Sequence, residues 1–409
     1  MKTIINKNYQ KLLTATFITR FGDSIDSIAF SWMVYVMTGS RVLMGTIFAI
    51  SIIPNILILP FGGVVADVFN KKMITVFGDI LRGFSVAVLA LFYFLNILEV
   101  WHLFVFVSIN SLFESFANPA RGSMMPNIIE QEDFVKGSSW LGTASNFGSL
   151  IGLSVAGILI AVVGIWGTIL IDAITFLFSG LLIFLIQFKD RREEVAEKPK
   201  VKDYFVLIGE GITYLRSKKI LIALLLLASF LNFALVPLNV LRPIYVTEVL
   251  NLGVEGLSYL GMAVMIGMIV GGYLMGVKGK NMNAITGIGL GLSLLGLMYM
   301  LMGLPGYTNF SENFNLLFVI IVSFFFGLSV PVVNAPMTAA IMRTTAPEML
   351  GRLSSIMGVV VLCAMPLGGF VVSIIGDSIS VSLLFIIMGF SGVLLSSVFW
   401  ATNRNKELV

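Results

Sequence analysis

Twelve stretches of roughly twenty predominantly apolar residues follow one another along this chain, and a helix of about that length is what crossing the hydrocarbon core of a bilayer requires. The first six lie near Leu12–Met37, Leu43–Ala66, Met73–Leu95, Trp101–Ala117, Gly137–Val163 and Ile165–Phe188. The second six lie near Ile220–Thr247, Leu257–Val277, Ala284–Leu304, Leu316–Met342, Leu353–Ile375 and Val381–Ala401. Composition agrees. Of 409 residues, 57% are hydrophobic and 12% charged, with a mean hydropathy of +0.98. So few charges do not coat a water-soluble chain of this length. The first stretch is too long for a signal peptide and carries Asp23 and Asp26 where such a segment is featureless. The expected fold is an all-α membrane protein with twelve transmembrane helices.

The basic residues fix an orientation. With the N-terminus on the cytoplasmic side, of 26 Lys and Arg only Arg41 falls outside, and Arg20, Arg82 and Arg242 fall within spans. Every other basic residue lies in a segment on the inner side, as the positive-inside rule requires. One missed span would scramble that alternation. The net charge of +4 and pI near 9.0 therefore orient the chain in a membrane and imply no nucleic acid partner. Both termini are expected in the cytoplasm.

Several chemistries are excluded. Cys363 is the single cysteine and His102 the single histidine, so no intramolecular disulfide, thiolate metal site or Ser–His constellation is available. No G-x-x-x-x-G-K-(S/T) loop is present to bind a nucleotide. An enzyme is not expected, nor a cofactor or a metal.

The only long hydrophilic stretch is Lys189–Tyr204, after which Tyr204, Phe205, Leu207, Ile208, Ile212 and Leu215 recur at near-helical spacing. That pattern predicts an amphipathic helix at the cytoplasmic surface. The chain thus divides into an N-terminal six-helix bundle at 1–188, a cytoplasmic linker at 189–219 and a C-terminal six-helix bundle at 220–409. The halves echo one another. GGVVADVFNKK at Gly62–Lys72 has a worn counterpart at Gly271–Lys280, GLSVAG at Gly152–Gly157 matches Ala364–Gly369, and the segment around Asn118–Ser139 resembles Asn334–Ser355. Offsets this similar point to duplication. Gly148, Gly152 and Ala156, and Gly267 with Gly271, fall at four-residue spacing and predict close helix approach.

Charges inside the spans are costly, so each asks for a reason. In span one, Thr16, Thr19, Arg20, Asp23, Ser24, Asp26, Ser27 and Ser31 fall on one arc at helical periodicity. Only Phe30 intrudes on that arc; it and Trp32 are the aromatic candidates for a cavity lining. Asp23 is one turn from both Arg20 and Asp26. Either acid is a candidate to bind a proton or a cationic substrate; the alternative is a structural Arg20–Asp23 pair. Glu114 and Asp172 are the other buried-acid candidates, with packing or capping the favoured reading for Asp172. Asp79 and Arg82 read as an internal salt bridge of span three. In span seven, Asn232, Asn239 and Arg242 accompany Pro237 and Pro243, a pair that breaks the helix and frees carbonyls.

The loop GGVVADVFNKK resembles the signature between spans two and three of the major facilitator superfamily: Gly63, Asp67, Lys71 and Lys72 match, while Val68 and Asn70 depart. Within it the chain resembles the bacterial macrolide-efflux group, through TGS at Thr38–Ser40, NPA at Asn118–Ala120, LIALLLL at Leu221–Leu227 and the run Gly327–Arg352. The resemblance implies a monomeric, multi-pass transporter of the bacterial cytoplasmic membrane. It further implies export of an amphipathic small molecule, macrolides among them, by proton antiport through a cavity exposed alternately to each side. It gives Gly63, Asp67, Lys71 and Lys72, with Asp79 and Arg82 nearby, a role in conformational gating. Asn110 stands where the family often has a proton-coupling Arg, and Glu114 is placed to share that role. Relatives also export siderophores. A uniporter or importer of a polar metabolite is the second reading, and a non-transporting sensor or scaffold the third.

Overall fold

The computed structural model describes residues 6–68, 70–187, 201–278, 282–308, 311–346 and 349–403, with the side chains of 59–68, 126, 131, 135, 201–208, 278, 351 and 403 outside the description. Among the described residues none lies in a strand. The first helix, α1 (Lys7–Thr38), starts where the Asn6 side chain accepts a hydrogen bond from Tyr9 N at 2.8 Å. It ends at Gly39, whose N–H donates to the Tyr35 carbonyl. Then follow α2 (Arg41–Val68), α3 (Lys71–Phe94) and α4 (Val100–Gly122). Asn70, which departs from the signature, caps α3 by accepting from Met73 N.

The fifth helix, α5 (Phe134–Phe184), contains 51 residues but changes direction at Gly164, where φ is 74° and ψ 175°. Spans five and six were expected to part there. A Cβ at this position would meet nothing within 4 Å, so the backbone conformation, rather than crowding, requires glycine. Each limb, 134–163 and 165–184, has the roughly twenty residues that a crossing needs.

Next come α6 (Val201–Ser217), α7 (Lys219–Val240), α8 (Glu255–Lys278), α9 (Ala284–Met302), α10 (Glu312–Thr344), α11 (Leu350–Ile375) and α12 (Val381–Asn403). The expected break in span seven is present: α7 stops at Val240, a turn at Arg242–Ile244 begins with Pro243 near its start, and a π turn covers Tyr245–Val249.

Ten helices among the described residues are long and apolar enough to cross a membrane. That number takes α5 once and leaves out α1, which is 32 residues long but interrupted by Arg20, Asp23 and Asp26. With α1 and the two limbs of α5 included, the arrangement accommodates twelve passes. Side-chain placement tells the same story. On α3 the charged pair Asp79 and Arg82 is buried while Phe77, Phe84 and Leu91 are exposed, Phe84 to 66%. That inversion is stable only where the surroundings are as apolar as the side chains.

The chain divides into two compact units, Met1–Glu194 with Val254–Ser258, and Val195–Gly253 with Tyr259–Val409. In the first, α1 packs along both limbs of α5. A Cβ on Gly148 or Gly152 would lie 2.5 Å from the carbonyl oxygen of Phe17 or Phe21, so only glycine lets the helices come this close. In the second, α6 is part of the core. Leu215 is buried in one cluster with Leu221, Leu225, Leu353 and Met357. Tyr214 Oη accepts from Ala346 N at 3.0 Å, and Glu210 is ion-paired with Arg352.

The Gly164 geometry generates a stability prediction. Gly164→Ala costs about 1–3 kcal/mol, because an L-residue is strained in that region. Gly142→Ala, within the helix and facing open space, is neutral or stabilising by up to about 1 kcal/mol. Apparent melting temperatures of the two variants in one detergent check this; equal values contradict it.

Candidate functional site

The polar arc of α1 turns into the first unit. Thr16, Thr19 and Ser24 are buried, and Arg20 Nη1 donates to Asp23 Oδ2 at 3.1 Å across one helical turn. The same carboxylate has a second, closer partner. Arg82 Nη2 on α3 donates to Asp23 Oδ1 at 2.6 Å. Arg82 is 4% exposed, and its guanidinium lies over the ring of Phe176 on the second limb of α5, 4.1 Å from the centroid. The same Nη1 of Arg20 approaches Glu114 Oε1 on α4 at 3.6 Å, and Asn118 Nδ2 donates to that oxygen at 2.9 Å. Four charged groups from α1, α3 and α4 thus form one cluster: Glu114, Arg20, Asp23 and Arg82.

A second ionic site lies deeper. Arg121 Nη2 donates to both carboxylate oxygens of Asp79 at 2.6 Å. Ser179 Oγ donates to Asp79 Oδ2 at 2.7 Å, and Thr19 Oγ1 donates to Ser179 at 2.7 Å. Asp79 is fully buried and Arg121 nearly so. This corrects the expected Asp79–Arg82 bridge. The two side chains leave α3 one turn apart and are each satisfied by a different neighbouring helix. It also recasts Arg121, which the sequence places among basic loop residues. Helix α4 continues through Pro119 to Gly122, and the extra turn swings Arg121 inward.

The remaining candidates fall in several places. Asp26 is half-buried and makes no hydrogen bond or ion pair among the described residues; its electrostatic neighbours are Arg82, Asp23 and Glu114. Asn110, one turn before Glu114, is half-buried with an unpartnered Oδ1. Phe30 is half-buried on α1 beyond Asp26, and Trp32 packs with Tyr35 at 5.7 Å between rings. Asp172 on the second limb of α5 is fully buried. Lys72 Nζ donates to the Ile186 carbonyl at 2.8 Å and sits over Phe184, while Lys71 opens α3. Gly63 and Asp67 belong to α2, with side chains outside the described residues. In the second unit, Asn232 donates to the Ala228 carbonyl of its own helix at 3.0 Å, and Arg242 meets Asn239 at 3.5 Å. Among the described residues no group of three His, Cys, Asp or Glu side chains is placed to hold a metal ion.

Sequence reasoning missed three participants: Arg121, Ser179 and Asn55. Asn55 on α2 donates to Ser111 Oγ at 3.2 Å and accepts from Ser115 Oγ at 2.9 Å, joining α2 to α4. For Asn55 and Ser179 the available signal was a polar residue within an apolar run; Arg121, in the segment Asn118-Pro119-Ala120-Arg121-Gly122, carried none.

An intramembrane ion cluster on a helical bundle is a hallmark of proteins that move solutes across membranes. The sequence matches the profile of the Major Facilitator Superfamily over residues 12–335. The chain belongs to that superfamily. Macrolide efflux protein A of Streptococcus pyogenes is 24% identical over 371 residues, covering 91% of this chain and 90% of the relative. The multidrug efflux pump Tap of Mycolicibacterium fortuitum is 25% identical, covering 97% of this chain and 96% of the relative. The crystal structure of nucleoside transporter NupG superposes with a TM-score of 0.79 at 12% identity, covering 98% of this chain and all of NupG. As a member of the superfamily the chain is a multi-pass membrane transporter of small molecules.

In such a transporter, a buried ion pair left half-made is worse than none. Removing one partner of a buried pair costs about 3–5 kcal/mol, so Asp79→Ala or Arg121→Ala alone markedly lowers the thermal stability of the purified protein. The double variant recovers part of the loss, because no uncompensated charge remains. A double variant as unstable as the sum of the singles contradicts the pairing.

Proposed function

We propose that this chain is a secondary exporter of amphipathic small molecules, macrolide-like compounds among them, driven by proton antiport. The observation that carries the reading is Asp23, a carboxylate on a membrane-spanning helix gripped by Arg82 at 2.6 Å and Arg20 at 3.1 Å. An ionised group within a membrane span is expensive, and where present it marks a proton, ion or substrate path. A proton arriving on one acid of the cluster changes which ion pairs hold α1, α3 and α4 together, which is the link that coupling requires. The named efflux relatives direct the choice of solute towards drug-like amphiphiles.

The rest of the mechanism follows the superfamily pattern as a proposal. The two bundles alternate in exposing a cavity near the membrane midplane, with the signature residues Gly63, Asp67, Lys71 and Lys72 biasing the balance between states. The basic segments face the cytoplasm, together with both termini. The protein acts as a monomer, needs no cofactor and binds no nucleic acid. The candidate solute contacts are Asn232, Asn239 and Arg242 in the second half and Phe30 and Asn110 in the first.

Transport into inverted vesicles tests this directly. With a radiolabelled macrolide, accumulation against its gradient is expected under an imposed proton gradient and is abolished by an uncoupler. Asp23→Asn is expected to lower gradient-driven accumulation per molecule of protein in the membrane at least about tenfold, equivalent to about 1.4 kcal/mol of lost coupling. Accumulation indifferent to the gradient, or full activity in Asp23→Asn, rejects the reading.

A further inference from the structure

The first unit does not balance its buried charges. The cations of its upper cluster are Arg20 and Arg82, and the acids around them are Asp23, Glu114, Asp26 and Asp172. Arg82 is engaged by Asp23 and Arg20 by Asp23 and Glu114. That leaves Asp26 and Asp172 without a cation of their own among the described residues.

The two differ in what surrounds them. Asp26 is half-buried. Asp172 is 0% exposed, and its Oδ2 has no hydrogen-bond partner among the described residues. Its Oδ1 is approached only weakly, by Thr175 Oγ1 at 3.3 Å. Helix α1 packs closely on the other oxygen: a Cβ on Gly22 would lie 2.5 Å from Asp172 Oδ1. The charged groups facing this carboxyl from the packed helices are Asp23 and Asp26 on α1 and Arg82 on α3. A fully buried ionised carboxylate with an orphaned oxygen, facing two other acids and a cation already engaged by Asp23, carries a charge that nothing among the described residues compensates, whereas the neutral acid does not.

We propose that Asp172 is a proton-binding site, carrying a proton in the described state and releasing it when Arg82 leaves Asp23. Arg82 is built for that exchange. Its Nε is buried without a partner, and its guanidinium rests on Phe176, one helical turn beyond Asp172 on the same limb. When the O–H bond of Asp172 breaks, the proton passes to water by way of the more accessible Asp26, and the new carboxylate competes with Asp23 for Arg82. Reprotonation forms the O–H bond again and returns Arg82 to Asp23. No other reactant enters, and charge is conserved at every step. This rests on the proton-coupled reading above and assigns the proton within it to Asp172 rather than to Asp23.

Infrared difference spectroscopy of the full-length chain in lipid nanodiscs tests it without a transported solute. Between acid and alkaline buffer, a protonated-carboxyl stretch is expected to disappear. That band moves when the aspartates carry heavy carbon in their carboxyl groups. It is expected to be lost in Asp172→Asn and retained in Asp23→Asn and Asp26→Asn. In Asp172→Glu, made with heavy-carbon aspartate, the band persists but no longer responds to the label, which keeps the test decisive if the Asn variant fails to fold. A label-sensitive band that survives in Asp172→Glu, or no such band at any pH, overturns the assignment. Uptake of a radiolabelled macrolide by the wild-type chain, measured in parallel, separates the two claims. Gradient-independent uptake with the band intact removes the antiport reading and leaves the proton on Asp172.

Discussion

The contact between Asp23 and Arg82 is the constraint around which the first unit is arranged. Neither group is tolerable alone in a bilayer-spanning bundle, and together they fix α1 against α3 at 2.6 Å. Arg20 then extends the network to Glu114 on α4, and Phe176 supplies an aromatic floor from α5. The Asp79–Arg121 pair, with Ser179 donating to Asp79 and Thr19 donating to Ser179, repeats the solution between α3 and α4. Four helices are therefore registered by polar contacts as well as by shape. Such networks have discrete arrangements rather than a continuum, because each displaced charge must find a new partner. A transporter that must occupy more than one state has use for that property.

Much of the fold was legible because its signals are local. Span lengths follow from apolar runs, and the division of α5 follows from the one position where Val163-Gly164-Ile165 permits a positive φ. Likewise, the end of α7 follows from Pro237 and Pro243. The polar face of α1 was legible for the same reason: helical periodicity alone groups Arg20 with Asp23. Close approach was foreseen at Gly148 and Gly152, which do meet the α1 backbone.

What sequence left hidden depends on partners distant along the chain. Asp79 and Arg82 stand one turn apart on α3, and local spacing pairs them. Their real partners lie on α4 and α1, chosen by the direction in which each side chain leaves the helix. Arg121 looked like a loop residue because the apolar run of span four ends near Ala117, yet α4 continues through Pro119 to Gly122. Asp172 gave no local sign of isolation. Its burial owes part to Gly22, about 150 residues earlier, whose missing side chain lets α1 approach it closely.

Helix α6 carries a mechanical consequence. It reads as part of a connector, but Leu215 is anchored among Leu221, Leu353 and Met357, Tyr214 clasps the backbone at Ala346, and Glu210 grips Arg352. Any displacement of α6 is therefore passed directly to α7 and α11, because its side chains interlock with theirs.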